Sequence, residues 1–172
     1  MTAAERAQIY KNPVFMVNSQ QCFEKYGFPG KVKGHMIMWD VPSKYEINQI
    51  PAKIFCNKDL VAPLGAAFEN LIQTNCITEV CTFDGCFNVR PIRGYEDEYN
   101  SAVTRGDLEE AVKFLSLHAW AIAVDFNAFE NQLGTKGKFS PEFVKCFTDA
   151  GFDWGGHFRS RLDPMHFQLA QI

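Results

Sequence analysis

The sequence predicts an α+β domain in which helices pack on one face of a small antiparallel sheet. Three observations carry that expectation. Apolar residues recur at helical spacing over 57–74, a second helix has start and stop signals around 140–151, and two short runs, 119–126 and 165–169, have strand character. Taking the chain in order, residues 1–50 read as an irregular N-terminal layer. From residue 12 on, turn formers (Gly27, Pro29, Gly30, Gly34, Pro42) interrupt short apolar runs such as Met36-Ile-Met-Trp39. Residues 51–172 read as the core of a single domain. Between Asn57 and Thr74 the residues Leu60, Leu64, Ala67, Phe68, Leu71 and Ile72 form one apolar helix face, with Asn57 or Asp59 as cap. Ile77 to Arg90 mixes β-branched and aromatic residues around Asp84-Gly85, which predicts a hairpin.

A helix is expected to start at Asp107, with Glu110 reaching back as in a capping box and Leu108, Val112 and Leu115 facing inward. Over Ala119–Phe126, Trp120, Ile122 and Val124 alternate with alanines, which predicts a strand. Ser140 as cap, Pro141 at the first helical position, Phe143, Val144 and Phe147 inside and Gly151 past the end predict another helix. Met165–Leu169 reads as a shorter strand of the same kind.

Composition narrows the classes of function. The 172 residues are 47% hydrophobic and 22% charged, values of a chain that folds around a core. Seventeen Lys and Arg against 20 Asp and Glu leave a net charge of −3, with the basic residues scattered, which argues against nucleic acid as the partner. No apolar run reaches the roughly 18 residues a membrane helix needs. Glu5 and Arg6 stand where a secretory signal carries its apolar stretch, so synthesis is expected to end in the cytoplasm, with the protein a monomer. The six cysteines read as reduced thiols. Cys76, Cys81 and Cys86 lack the close Cys-x-x-Cys pairs of a zinc knuckle.

Four histidines limit the places where metal chemistry can sit. His118 and Asp125, seven positions apart, would stand about 10 Å apart along a straight helix and about 23 Å apart on a straight strand. Only a sharp turn after His118, with Asp125 on the strand that follows, brings both to one point. His166 can then complete a three-residue set with a fourth position open, as in catalytic zinc sites. Asp163, held out of helix by Pro164, can project beside such a site as a proton carrier. By spacing alone, a hydrogen-bonded structural pair accounts for the same residues.

The motifs add specificity. Ser116-Leu-His-Ala-Trp-Ala-Ile-Ala-Val-Asp125 resembles the Ser-x-His-x-x-Gly-x-Ala-x-Asp signature of the zinc D-Ala-D-Ala carboxypeptidase and L-alanyl-D-glutamate endopeptidase family, and Asp163-Pro-Met-His-Phe167 resembles its Glu/Asp-x-x-His motif. Gly85–Gly94 is similar to the family's aromatic-x-x-Arg segment, and Gly151-Phe-Asp-Trp-Gly-Gly156 to a turn of its phage endolysin branch. The resemblance runs from about residue 50 to the C-terminus. It implies the fold shared with lysostaphin-type enzymes and the hedgehog signalling domain, with the zinc site on the sheet face opposite the helices.

It further implies His118, Asp125 and His166 as Zn²⁺ ligands, Asp163 as catalytic base and Arg90 as the group that steadies the oxyanion, with Arg93 competing for that role. Ser116 either touches substrate or caps the turn. The implied activity is hydrolysis of peptidoglycan stem peptides by metal-activated water. The L-Ala–D-Glu bond is the expected target, with the protein acting on the wall after release in a phage-infected bacterium. A D,D-carboxypeptidase and a non-catalytic zinc-bearing wall-binding or virion protein are the alternatives.

Two features depart from the family pattern. Ala121 stands where the signature has glycine, and the 95–115 connection, with Glu96-Asp-Glu98, is long, reading as a lid or as a solvated face. His157 stands near Arg159 and Arg161, either close enough to touch a substrate carboxylate or simply in an exposed loop.

Overall fold

The computed structural model describes residues 2, 4, 5, 11–30 and 34–172, so most of the N-terminal stretch carrying Glu5 and Arg6 lies outside the described residues. Five helices are described here: α1 (Pro13–Tyr26), α2 (Lys58–Gln73), α3 (Glu96–Thr104), α4 (Leu108–Val112) and α5 (Pro141–Thr148). Strands β1 (Met36–Asp40) and β2 (Lys53–Asn57) form an antiparallel pair. Strands β3 (Phe83–Gly85), β4 (Ala123–Phe126), β5 (Phe152–Trp154) and β6 (His166–Leu169) form a four-stranded antiparallel sheet in the order β3-β4-β6-β5.

The period of two along β4 and β6 sorts the sheet into two faces. Val124, Phe126, Phe167 and Leu169 enter the main core, whereas Asp125 and His166 stand directly opposite each other on the other face. Against the core face, α2 buries Leu60, Leu64, Ala67, Phe68 and Leu71, and α5 buries Phe143, Val144, Cys146 and Phe147. Phe147 stacks on Phe167 at 4.3 Å between ring centroids, and Phe68 meets Phe126 edge-on at 6.3 Å. The α+β expectation, with helices on one sheet face and the polar constellation on the other, therefore holds.

Local chemistry accounts for the element boundaries. Asn57 accepts from the Asp59 amide and Ser140 from the Phe143 amide, which are the expected caps of α2 and α5. Asp107 likewise accepts from the Glu110 amide, but the Glu110 carboxylate pairs with Lys113 at 2.6 Å instead of reaching back. The 95–115 connection folds as α3 and α4. Its Tyr95 and Phe114 join Phe15 and Ile92 in a second apolar cluster beneath α1.

Three expectations are corrected. Residues 13–26 form a helix, started by the Asn12 cap and Pro13. Its buried stripe is Phe15, Ser19, Cys22 and Tyr26, which is too mixed in polarity to read as an apolar face. The 77–90 segment is not a hairpin. The Asn127 side chain holds the Cys81 and Thr82 amides and the Glu79 carbonyl, so the segment is tied to the end of β4 and only β3 pairs, with β4. Finally, 117–120 is a 3₁₀ turn, and the strand starts at Ala123.

Candidate metal centre

His118 sits in the Leu117–Trp120 turn, whose cap Ser116 accepts from the His118 amide. Ala121 follows at φ 53°, ψ 41°, a left-handed residue whose amide closes the turn on the His118 carbonyl. That reversal sends the chain into β4 and lets Asp125 face back toward His118. His166 reaches the same point from the neighbouring strand. Three ligand atoms converge: His118 Nε2 lies 3.2 Å from Asp125 Oδ1 and 3.1 Å from His166 Nδ1, and His166 Nδ1 lies 3.1 Å from Asp125 Oδ1.

The outer shell decides what those atoms offer. The Cys86 carbonyl can only accept, so at 2.7 Å it takes the Nδ1–H of His118 and leaves the Nε2 lone pair pointing inward. Gln168 Oε1, 3.1 Å from His166 Nε2, accepts there and leaves the His166 Nδ1 lone pair inward. Two imidazole lone pairs and a carboxylate oxygen thus meet with all three side chains largely buried. Such a cluster repels itself unless a positive charge sits among them.

Without an ion, the same atoms favour protons among them. Burial works against ionised Asp125, but the charge and hydrogen bond of His118 and those of His166 outweigh it and hold the carboxyl well below the usual range. Burial also works against charged His166, yet the Asp125 hydrogen bond and charge prevail and raise its pKa above the ordinary 6.5. Zinc bound tetrahedrally at about 2.0–2.1 Å sets neighbouring ligand atoms roughly 3.3 Å apart. The observed triangle comes within a few tenths of an ångström of that spacing, and its donor set of two imidazoles and one carboxylate fits the ion.

Beside the three lies a narrow cleft of about 30 Å³, lined among others by Arg90, Ser116, Arg161, Asp163, His166 and Gln168. Asp163 is seated by its backbone: its amide donates to the Gly155 carbonyl at 2.9 Å, and its carbonyl accepts from the His166 amide at 3.0 Å. Gly155 is needed for that seat, because a Cβ there would stand 2.2 Å from the Asp163 carbonyl oxygen. Arg90 arrives from the segment bridged to residue 115, where its carbonyl takes the Ser116 amide at 2.9 Å.

The cleft opens beside a groove of about 580 Å³ lined by α1 residues including Phe15 and Asn18 and by Trp154, His157 and Phe158. His157 is exposed and sits edge-on to Trp154.

Of the residues singled out in the sequence, His118, Asp125 and His166 converge, and Arg90, Ser116 and Asp163 line the adjoining cleft. Arg93 is exposed and lies outside that lining. Its carbonyl instead accepts from Arg161 Nη1 at 3.2 Å. None of the 95–115 connection lines the narrow cleft either, and Glu98 pairs with Lys11, so the lid reading gains nothing. Sequence reasoning missed Cys86, whose contribution is a backbone carbonyl. It also missed Gln168, although its place two residues after His166 on one strand face was a usable signal. Arg161 was noted only as a neighbour of His157, and nothing local marked it as buried.

Residues 109–169 match the family model described as D-alanyl-D-alanine carboxypeptidase. The matched stretch, about a third of the chain, holds Ser116, His118, Asp125, Asp163 and His166, whereas Arg90 and Arg93 lie outside it. This likeness supports a metallopeptidase, on the same residues that the geometry gathers. No curated protein and no solved structure matches the chain.

Proposed function

We propose that this protein is a zinc peptidase of peptidoglycan stem peptides that cleaves the L-Ala–D-Glu bond in the manner of phage endolysins. The observation carrying the reading is the triangle of His118 Nε2, Asp125 Oδ1 and His166 Nδ1 with sides of 3.1–3.2 Å, set beside Asp163 inside the stretch that matches the carboxypeptidase family. These three residues would hold zinc, which supplies Lewis acidity and lowers the pKa of water to about 7.

The remaining roles belong to the chain itself. Cys86 and Gln168 keep the two imidazoles in the tautomers that present lone pairs inward. Asp163 takes the proton of the attacking water and passes it to the leaving amine, a task that needs a carboxylate close to the site but outside the ligand set. Arg90 lines the cleft with a permanent charge and fixed donors where negative charge develops on the carbonyl oxygen. The larger groove has the size of a ligand site, so the peptide lies along it with one bond turned into the narrow cleft.

Favouring the endopeptidase is the likeness of Gly151–Gly156 to the endolysin turn. The description of the matching family favours a second reading, removal of a terminal D-alanine. Mass spectrometry of peptidoglycan digested with zinc-loaded protein separates the two, with Asp163→Ala as control. New L-alanine C-termini support the endopeptidase, and free D-alanine supports the carboxypeptidase. Intact stem peptides overturn both.

A further inference from the structure

The chemistry above leaves Arg161 unused. Its side chain is 9% exposed, and one Nη donates to the Arg93 carbonyl. The other stands 3.6 Å from Asp163 Oδ2, beyond hydrogen-bonding distance, and Nε has no hydrogen-bond partner among the described residues. A guanidinium carries five N–H donors, and burial without matching acceptors is unfavourable, so most of this group's capacity is unspent. Its place is held by the facing wall of the cleft, with the guanidinium 4.9 Å from the centre of the Phe15 ring. In the cleft lining two guanidinium groups, Arg90 and Arg161, face a single carboxylate, Asp163. That leaves room for one more negative charge.

The position of Arg161 says where that charge belongs. It flanks Asp163, the group that hands a proton to the leaving amine, so an anion bound there is attached close to the scissile nitrogen. Cell-wall peptides have such an anion. In L-Ala–D-Glu the chain continues through the γ-carboxyl, so the carbon bearing the scissile nitrogen keeps a free α-carboxylate. In a terminal D-Ala–D-Ala the corresponding carbon does too. At an internal bond of an ordinary protein that carbon bears an uncharged amide.

Resting on the peptidase reading, we propose that Arg161 binds the free α-carboxylate on the carbon attached to the scissile nitrogen and thereby restricts the enzyme to cell-wall peptides. A fork of parallel N–H donors suits a carboxylate better than a carboxamide, whose NH₂ half would face another donor.

The test is calorimetric binding to zinc-loaded Asp163→Asn protein, which holds peptides without cleaving them. The probes are N-acetyl-L-Ala-D-Glu γ-methylamide and N-acetyl-D-Ala-D-Ala, each beside its α-carboxamide. The carboxylate form of at least one pair is expected to bind about tenfold more tightly, and that pair identifies the source of the carboxylate. Adding Arg161→Gln collapses the ratio to about twofold or less, while Arg161→Lys, which keeps charge without the fork, retains part of it. If Arg161→Gln does not fold, the reduced ratio of Arg161→Lys carries the test. Equal binding of carboxylate and carboxamide in both pairs, or a ratio unchanged by either variant, overturns the inference. Discrimination that follows Arg161 while wild-type protein cleaves neither peptide keeps the inference and sinks the peptidase.

Discussion

Ala121 holds a conformation that L-residues adopt at a cost, φ 53° and ψ 41°, in the turn between His118 and β4. A left-handed alanine is disfavoured by about 1–2 kcal/mol, partly offset by the lower chain entropy of alanine relative to glycine when unfolded. Ala121→Gly is therefore expected to stabilise the protein by up to about 1 kcal/mol, read as a higher urea midpoint, with zinc affinity unchanged. A lower midpoint would show that the methyl, buried in the core, packs better than the backbone suffers. The proposed ligand and base roles separate at this scale too. His118→Ala should lose both stoichiometric zinc and hydrolysis. Asp163→Ala should keep zinc while hydrolysis falls about 10²-fold or more, measured by metal content and product release on the same preparations.

Two short elements hold Asp163 and the cleft wall in place. In the 3₁₀ turn Gly155–His157 a Cβ on Gly155 would meet the Asp163 carbonyl oxygen at 2.2 Å, whereas one on Gly151 would meet nothing within 4 Å. Gly155→Ala is thus expected to displace Asp163 and cost at least about tenfold in hydrolysis. Gly151→Ala strains only its own backbone, at φ 97°, and should lower stability by about 1 kcal/mol with hydrolysis intact. Equal activities for the two variants would remove the turn from the mechanism. Helix α1 forms the opposite wall. Phe15 lies edge-on to Phe158 at 5.2 Å and beneath Arg161, and Ser19 Oγ donates to the Leu115 carbonyl at 2.6 Å. Truncating this largely buried ring in Phe15→Ala should cost about 3 kcal/mol in denaturant unfolding.

For the whole molecule, the cluster of His118, Asp125 and His166 couples stability to pH and, on the proposed reading, to metal. In metal-free protein the depressed Asp125 pKa stabilises the fold above its ordinary 3.8, a contribution lost as pH falls through the folded value. The raised His166 pKa stabilises below the ordinary 6.5 and is lost as pH rises through the folded value. Metal-free protein should accordingly melt highest between about pH 4 and 6.5 and lower at pH 8. Zinc should reverse the alkaline decline, because deprotonated ligands bind it best. At 100 times its dissociation constant it adds about 2.7 kcal/mol. Melting curves across pH with zinc and with a chelator read both effects, and identical curves would remove the metal from the account.

Much of this was legible along the chain because it is local. Caps such as Asn57 and Ser140, the helical stripes of α2 and α5, and the strand 166–169 are set by neighbours within a few residues. Short motifs also singled out His118, Asp125 and His166, which converge in the fold, and Asp163, which lines the adjoining cleft. Tertiary structure decided what depends on distant partners. The 81–82 segment pairs where the Asn127 side chain ties it, not as a hairpin, and a helix of mixed polarity becomes the wall of a groove. Arg93 turns outward while Arg161, unremarkable in sequence, is buried beside Asp163. Residue type and spacing determine which groups can ligate, cap or carry a proton. Only packing across more than forty residues of chain decides which of them meet and which charges lose their water.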